Sequence, residues 1–91
     1  MSIAMNVPPE ARKKYIERRQ RDAAELAEAL AKGDLEPFVR IGHQLKGNAA
    51  TFGYESLAVV GARMEELAQQ GDKAGLAECL EEFRKWVGEN P

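Results

Sequence analysis

Apolar residues along this 91-residue chain recur at spacings of three and four, and no alternating β-branched run is long enough to make a strand. The pattern predicts four helices. The first covers about residues 9 to 31, where Pro8 and Pro9 suit an opening turn in which a missing N–H costs nothing. Its apolar stripe is Ile16, Ala23, Leu26, Ala27 and Leu30. Lys32-Gly33-Asp34 then offers a C-terminal glycine and an N-capping acid in succession. Pro37 is tolerated because it falls in the first turn of the next helix. That second helix, about 35 to 52, carries Phe38, Ile41, Leu45, Ala49 and Phe52 along one side and ends at Gly53. A third, about 54 to 70, turns Leu57, Val60, Met64 and Leu67 inward before Gly71-Asp72 repeats the stop-and-restart signal. The fourth, about 73 to 88, buries Leu76, Cys79 or Leu80, Phe83, Trp86 and Val87. Residues 1–8 are expected to form a flexible N-terminus.

Helices of this length are marginal alone, and joints of a few residues force neighbours to lie antiparallel. The fold class expected is therefore all-α, an antiparallel up-down four-helix bundle filling one domain over residues 1–91. The long first helix should overhang or cap one end.

Composition narrows the chemistry. With 44% hydrophobic residues, 31% charged residues and a net charge of -2, the chain is neither a disordered tail nor a membrane segment. A lone cysteine, Cys79, and a lone histidine on different helices make no zinc site, so neither metal nor cofactor is expected. The first residues lack the charged and apolar stretches of a targeting leader and no run reaches membrane length, so a cytoplasmic location is expected. Charge is uneven: Arg12, Lys13, Lys14, Arg18, Arg19 and Arg21 stand against Glu17 alone, while residues 55 to 82 hold seven acids against Arg63 and Lys73. Because the basic run has no interleaved aromatic beyond Tyr15, it is expected to be a solvated helix face, with neither nucleic acid nor membrane as partner.

The remaining chemistry sits in residues 43–53, HQLKGNAATFG. At about 100° per residue, with Phe38 at zero, the core stripe of the second helix lies between roughly -60° and +20° and His43 at roughly +140°. Val39, Arg40, Gly47 and Ala50 share that outer face, and Lys46 lies at its margin. A mid-helix glycine costs about 1 kcal/mol relative to alanine, so Gly47 asks for a reason, and close approach of another surface is one. A largely neutral imidazole keeps one nitrogen lone pair for attack, and Lys46 can place an ammonium beside whatever the ring carries. Nucleophile, cation and bare patch are the parts that phosphoryl transfer uses. Glu65 falls at a similar height on the third helix and at the edge of its core stripe, a candidate hydrogen-bond partner for one ring nitrogen.

These residues resemble the histidine-containing phosphotransfer (HPt) family, whose signature is H-x-L-K-G on a helix with a glycine ten residues beyond the histidine. Here it stands as His43, Leu45, Lys46, Gly47 and Gly53. Glu65 and the Gly71-Asp72 joint are also typical, and the likeness covers about residues 20 to 88. The resemblance implies a stand-alone bacterial phosphorelay protein that accepts a phosphoryl group from a receiver-domain aspartate on His43 and passes it to another receiver. Its partners would be receiver domains of response regulators or hybrid histidine kinases, and a monomer is expected. Lys46 would steady the phosphate, Gly47 would admit the receiver, and Val39, Arg40, Gln44 and Ala50 would form part of the docking surface. No nucleotide-binding loop, kinase ATP-site motif or receiver-like βα pattern is present, so autonomous kinase activity is not expected. Gly42, next to His43, departs from the usual pattern and is expected to loosen the helix. The alternative from another class is a non-catalytic helical adaptor that binds a receiver or other partner through the same exposed face.

Overall fold

Three glycines in the left-handed conformation, Gly33 (φ 73°), Gly53 (φ 86°) and Gly71 (φ 70°), turn the chain back on itself. At each joint the N–H of the following residue returns to a carbonyl five positions earlier: Asp34 to Ala29, Tyr54 to Ala49 and Asp72 to Leu67, all at 2.9 Å. This closure satisfies carbonyls that a helix end would otherwise leave unpaired, and a side chain at the glycine would strain it. The computed structural model describes residues 7–90; the flexible N-terminus expected for residues 1–8 falls almost wholly outside them. The elements are α1 (Pro9–Lys32), α2 (Glu36–Asn48), α3 (Glu55–Gln69) and α4 (Lys73–Glu89), with a 3-10 turn at Ala50–Phe52. Among the described residues there is no strand, and the helices pack as a four-helix bundle, as the periodicity predicts.

The core holds most of the expected stripe, but Ile16 is only half-buried and stands outside it, and Tyr15 takes the inward place at that end of α1. Phe38, Ile41, Leu45 and Ala49 meet Leu57, Met64, Ala68, Leu76, Cys79, Leu80, Phe83, Leu26 and Ala29. Each fully buried leucine or phenylalanine contributes about 1.5–3 kcal/mol. Val60, Leu67, Trp86, Val87, Ala23, Ala27 and Leu30 are half-buried against this cluster. Asp72 caps α4, its Oδ1 accepting from the Gly75 N–H at 2.9 Å. Asp34 stands one residue outside the expected cap: Leu35 occupies that position, and Asp34 Oδ1 accepts from the Glu36 N–H at 3.3 Å.

Three further expectations need correction. The second helix ends at Asn48, not 52, and its continuation tightens into the 3-10 turn. This brings Phe52 and Tyr54 beneath α1, where Tyr15 stacks on both rings, at centroid distances of 4.1 and 5.9 Å. The basic run of α1 is likewise not wholly solvated. Arg19 is 5% and Asp22 1% exposed, and Arg19 Nε donates to Asp22 at 2.8 Å while its guanidinium lies 4.4 Å from the centre of the Tyr15 ring. A planar guanidinium tolerates burial when paired with a carboxylate and stacked on an aromatic face. Burial pushes the Tyr15 hydroxyl above its ordinary pKa, so it stays protonated and donates to Asn48 Oδ1 at 2.7 Å. Tyr15→Phe should therefore cost about 1–2 kcal/mol, because Asn48 loses its donor in a part-buried place; urea melts of the two proteins would show it.

The third correction concerns Gly42, which tightens the structure. A Cβ on Gly42 would stand 2.7 Å from the Gly61 carbonyl oxygen and 2.8 Å from the Glu65 nitrogen. One on Gly61 would meet Leu45 Cβ at 2.5 Å and the Gly42 carbonyl oxygen at 2.8 Å. Two glycines facing each other let α2 and α3 touch backbone to backbone.

Candidate functional site

The Gly42–Gly61 crossing sets the distance between the residue after Gly42 and the residue one turn beyond Gly61, namely His43 and Glu65. His43 Nδ1 lies 3.0 Å from Glu65 Oε2, while Lys46 Nζ donates to Glu65 Oε1 at 2.7 Å. His43 and Lys46 are three residues apart on one helix face, so a single carboxylate can engage both. The Glu65 side chain is 15% exposed, whereas those of His43 and Lys46 are 69% and 50% exposed. Glu65 is thus a mostly covered post at the helix seam, with the imidazole and the ammonium standing out from it.

Electrostatics assign the ring tautomer. The hydrogen bond from Lys46, seconded by that from His43, holds the Glu65 carboxyl below the ordinary carboxylate range against the opposing effect of partial burial. Glu65 is therefore ionised near neutral pH and can only accept. The ring nitrogen facing it must donate, so Nδ1 carries a proton, and in the neutral ring Nε2 is the nitrogen that keeps its lone pair. Since the folded pKa of Glu65 is depressed, its stabilising contribution is present above the ordinary carboxylate range and is lost as pH falls through the folded value. Carboxyl NMR should place the Glu65 midpoint below 4.5, the unperturbed value, and Lys46→Ala should move it upward.

The other expected residues are distributed unevenly. Gly47 is exposed, with nothing within 4 Å of where a Cβ would stand, and Gln44 is exposed beside it. Ala50 is exposed too, but in the 3-10 turn and not on α2 itself. Arg40 is half-exposed and tied to Glu25 of α1, with Glu36 3.9 Å away. Val39 is half-buried against the core, so only part of it can belong to an outer surface. Gly61 and Glu25 carry no motif of their own, yet one sets the helix spacing and the other ties the outer face to α1. The signal for Gly61 is its place on the inward stripe, four residues after Leu57, where a glycine is costly unless another backbone comes close. Among the described residues, no group of His, Cys, Asp and Glu side chains could hold a metal ion, and no helix is long and apolar enough to cross a membrane.

The bundle thus displays an exposed imidazole held by Glu65, with the Lys46 ammonium beside it and a bare helical surface at Gly47. The family model for the Hpt domain matches residues 10–89, and the chain belongs to that family. Hpt domains are phosphocarrier modules of phosphorelays, not kinases, and they work with receiver domains. No curated protein and no solved structure matches the chain.

Proposed function

We propose that this protein is a phosphorelay intermediate in which His43 Nε2 takes a phosphoryl group from the aspartyl phosphate of one receiver domain and gives it to the aspartate of another. The observation that carries this reading is the Nδ1 contact to an ionised Glu65 on an exposed imidazole, which makes Nε2 the nitrogen available for attack in the neutral ring. In the forward step the Nε2 lone pair attacks phosphorus, the bond from phosphorus to the aspartate oxygen breaks, and the carboxylate leaves with its electron pair. The Nδ1 proton stays on the ring, where Glu65 balances the positive charge that develops during attack. Lys46, half-exposed and one turn away, can turn from Glu65 toward the phosphoryl oxygens. His43, Lys46 and Glu65 all come from one chain, so the site works in a monomer.

The test is to mix the protein with phosphorylated receiver domains of its host and analyse the label it acquires. Phosphate that is acid-labile, base-stable and mapped to His43 supports the reading. A protein that binds a receiver but never acquires phosphate is instead the adaptor. Gly47 supplies the docking prediction. Gly47→Gln fills open space and gains about 0.5 kcal/mol of helix propensity, so stability should hold or rise slightly while transfer slows about tenfold or more; unchanged transfer kinetics would remove Gly47 from the docking surface.

A further inference from the structure

The basic half of α1 plays no part in the site just described, but the fold places it beside that site. Two contacts fix its register: Tyr15 to Asn48, and Glu25 to Arg40. Because α1 and α2 run antiparallel, Arg18 and Arg21 of α1 fall level with the stretch of α2 from Gly47 back to His43. With Tyr15 and Leu26 facing inward, a turn of about 100° per residue puts Lys14, Arg18 and Arg21 within roughly 60° of one another. Glu25 lies in the middle of that stripe, and Glu25 is the residue that reaches Arg40. The stripe therefore occupies the flank of α1 next to the outer face of α2.

Its cations stand largely without ion pairs on the side that faces α2. Lys14 and Arg21 are exposed and have no ion-pair partner among the described residues. The Arg18 side chain is 50% exposed, while its partner Asp22 is buried and already held by Arg19. Glu25 is engaged by Arg40, and Glu10 and Glu17, each one turn from Lys14 or Arg21, are the acids that border the stripe at its outer edge, away from α2; among the described residues neither forms an ion pair with it. Cations consequently border the His43 face on both sides, with Lys46 toward α3 and Arg18 and Arg21 toward α1. Whatever exchanges phosphate with His43 must bring a carboxylate, and in one of its two states an aspartyl phosphate with about two negative charges.

We propose that Lys14, Arg18 and Arg21 form an electrostatic guide for the receiver domain that exchanges phosphate with His43, favouring receivers whose surface beside the reactive aspartate is acidic. This rests on the phosphotransfer reading above. Charged groups at the rim of an interface act mainly on the rate of encounter, raising it tenfold to a thousandfold and losing their effect in salt. The guide would also select among receivers, since one with a basic rim would be repelled.

The experiment compares wild type with the double variant Lys14→Glu, Arg21→Glu, two exposed positions whose replacement leaves the Arg19–Asp22 pair intact. Stopped-flow association is measured with the host receiver that phosphorylates His43 fastest, at about 20 mM and 500 mM salt. The variant should associate about tenfold more slowly at low salt, the gap should close at high salt, and the transfer rate within the saturated complex should not change. Equal association at low salt, or a deficit that persists at high salt, overturns the proposal. So does a variant that loses binding to phosphatidylserine vesicles or duplex DNA while its receiver kinetics stay intact. If wild type acquires no label on His43 from any receiver, the phosphotransfer reading itself fails; label with equal association rates sinks only the guide.

Discussion

His43→Gln is expected to give a folded protein that takes no phosphate from any receiver. The imidazole is 69% exposed and contributes nothing to the core, and glutamine is at least as good a helix former as histidine. Glu65 keeps its bond to Lys46 at 2.7 Å, so the seam between α2 and α3 stays closed. The melting temperature should therefore move by only a few degrees, in line with an exposed substitution of within about 0.5 kcal/mol. Transfer should vanish altogether. An amide nitrogen has its lone pair delocalised into the carbonyl and cannot attack phosphorus, and Cys79, the other intrinsic nucleophile of note, is buried with its thiol pushed above its ordinary pKa. Labelling that survives the substitution would move the acceptor to another residue and refute the assignment. Loss of labelling accompanied by unfolding would refute the separation of site from core on which the prediction depends.

The four helices and their inward stripes are legible in the sequence because a 3.6-residue repeat and a glycine stop are local signals. The outer position of His43 follows from the same wheel, and its reach to Glu65 follows from the height of both residues in an antiparallel hairpin. What the chain does not announce is whatever needs a distant partner to define it. Arg19 and Asp22 look like members of a charged face until the fold buries both, Arg19 over the Tyr15 ring and Asp22 between Arg18 and Arg19. Tyr15 looks like an isolated aromatic until Phe52 and Tyr54 stack against it. The early end of α2 is hidden too, since a 3-10 turn and one more α-helical turn place Phe52 on nearly the same side. Gly42 is the most instructive case: alone it reads as a weak point, and only Gly61 on the facing helix makes it a point of contact.

That contact carries the second large effect. Gly61→Ala should destabilise the protein by about 2–3 kcal/mol, against the gain of about 1 kcal/mol that helix propensity alone would give. The decision between the two rests on what the new methyl group meets. Leu45 Cβ at 2.5 Å, the Gly42 carbonyl oxygen at 2.8 Å and the Lys46 nitrogen at 2.9 Å are a carbon bonded directly to its Cα and two backbone atoms, none of which can swing aside. Relief requires α2 and α3 to separate, and separation opens gaps along Ile41, Leu45, Leu57 and Met64, all fully buried. It also draws Glu65 away from His43 and Lys46, so the variant should lose part of its transfer rate along with a fall in melting temperature of roughly 10–20 °C. Gly47→Ala is the matched control: the same change in the same hairpin, where no atom lies within 4 Å, should stabilise by up to about 1 kcal/mol. Thermal melts of the two variants that shift in the same direction would show that the backbone contact between Gly42 and Gly61 does not set the spacing of the site.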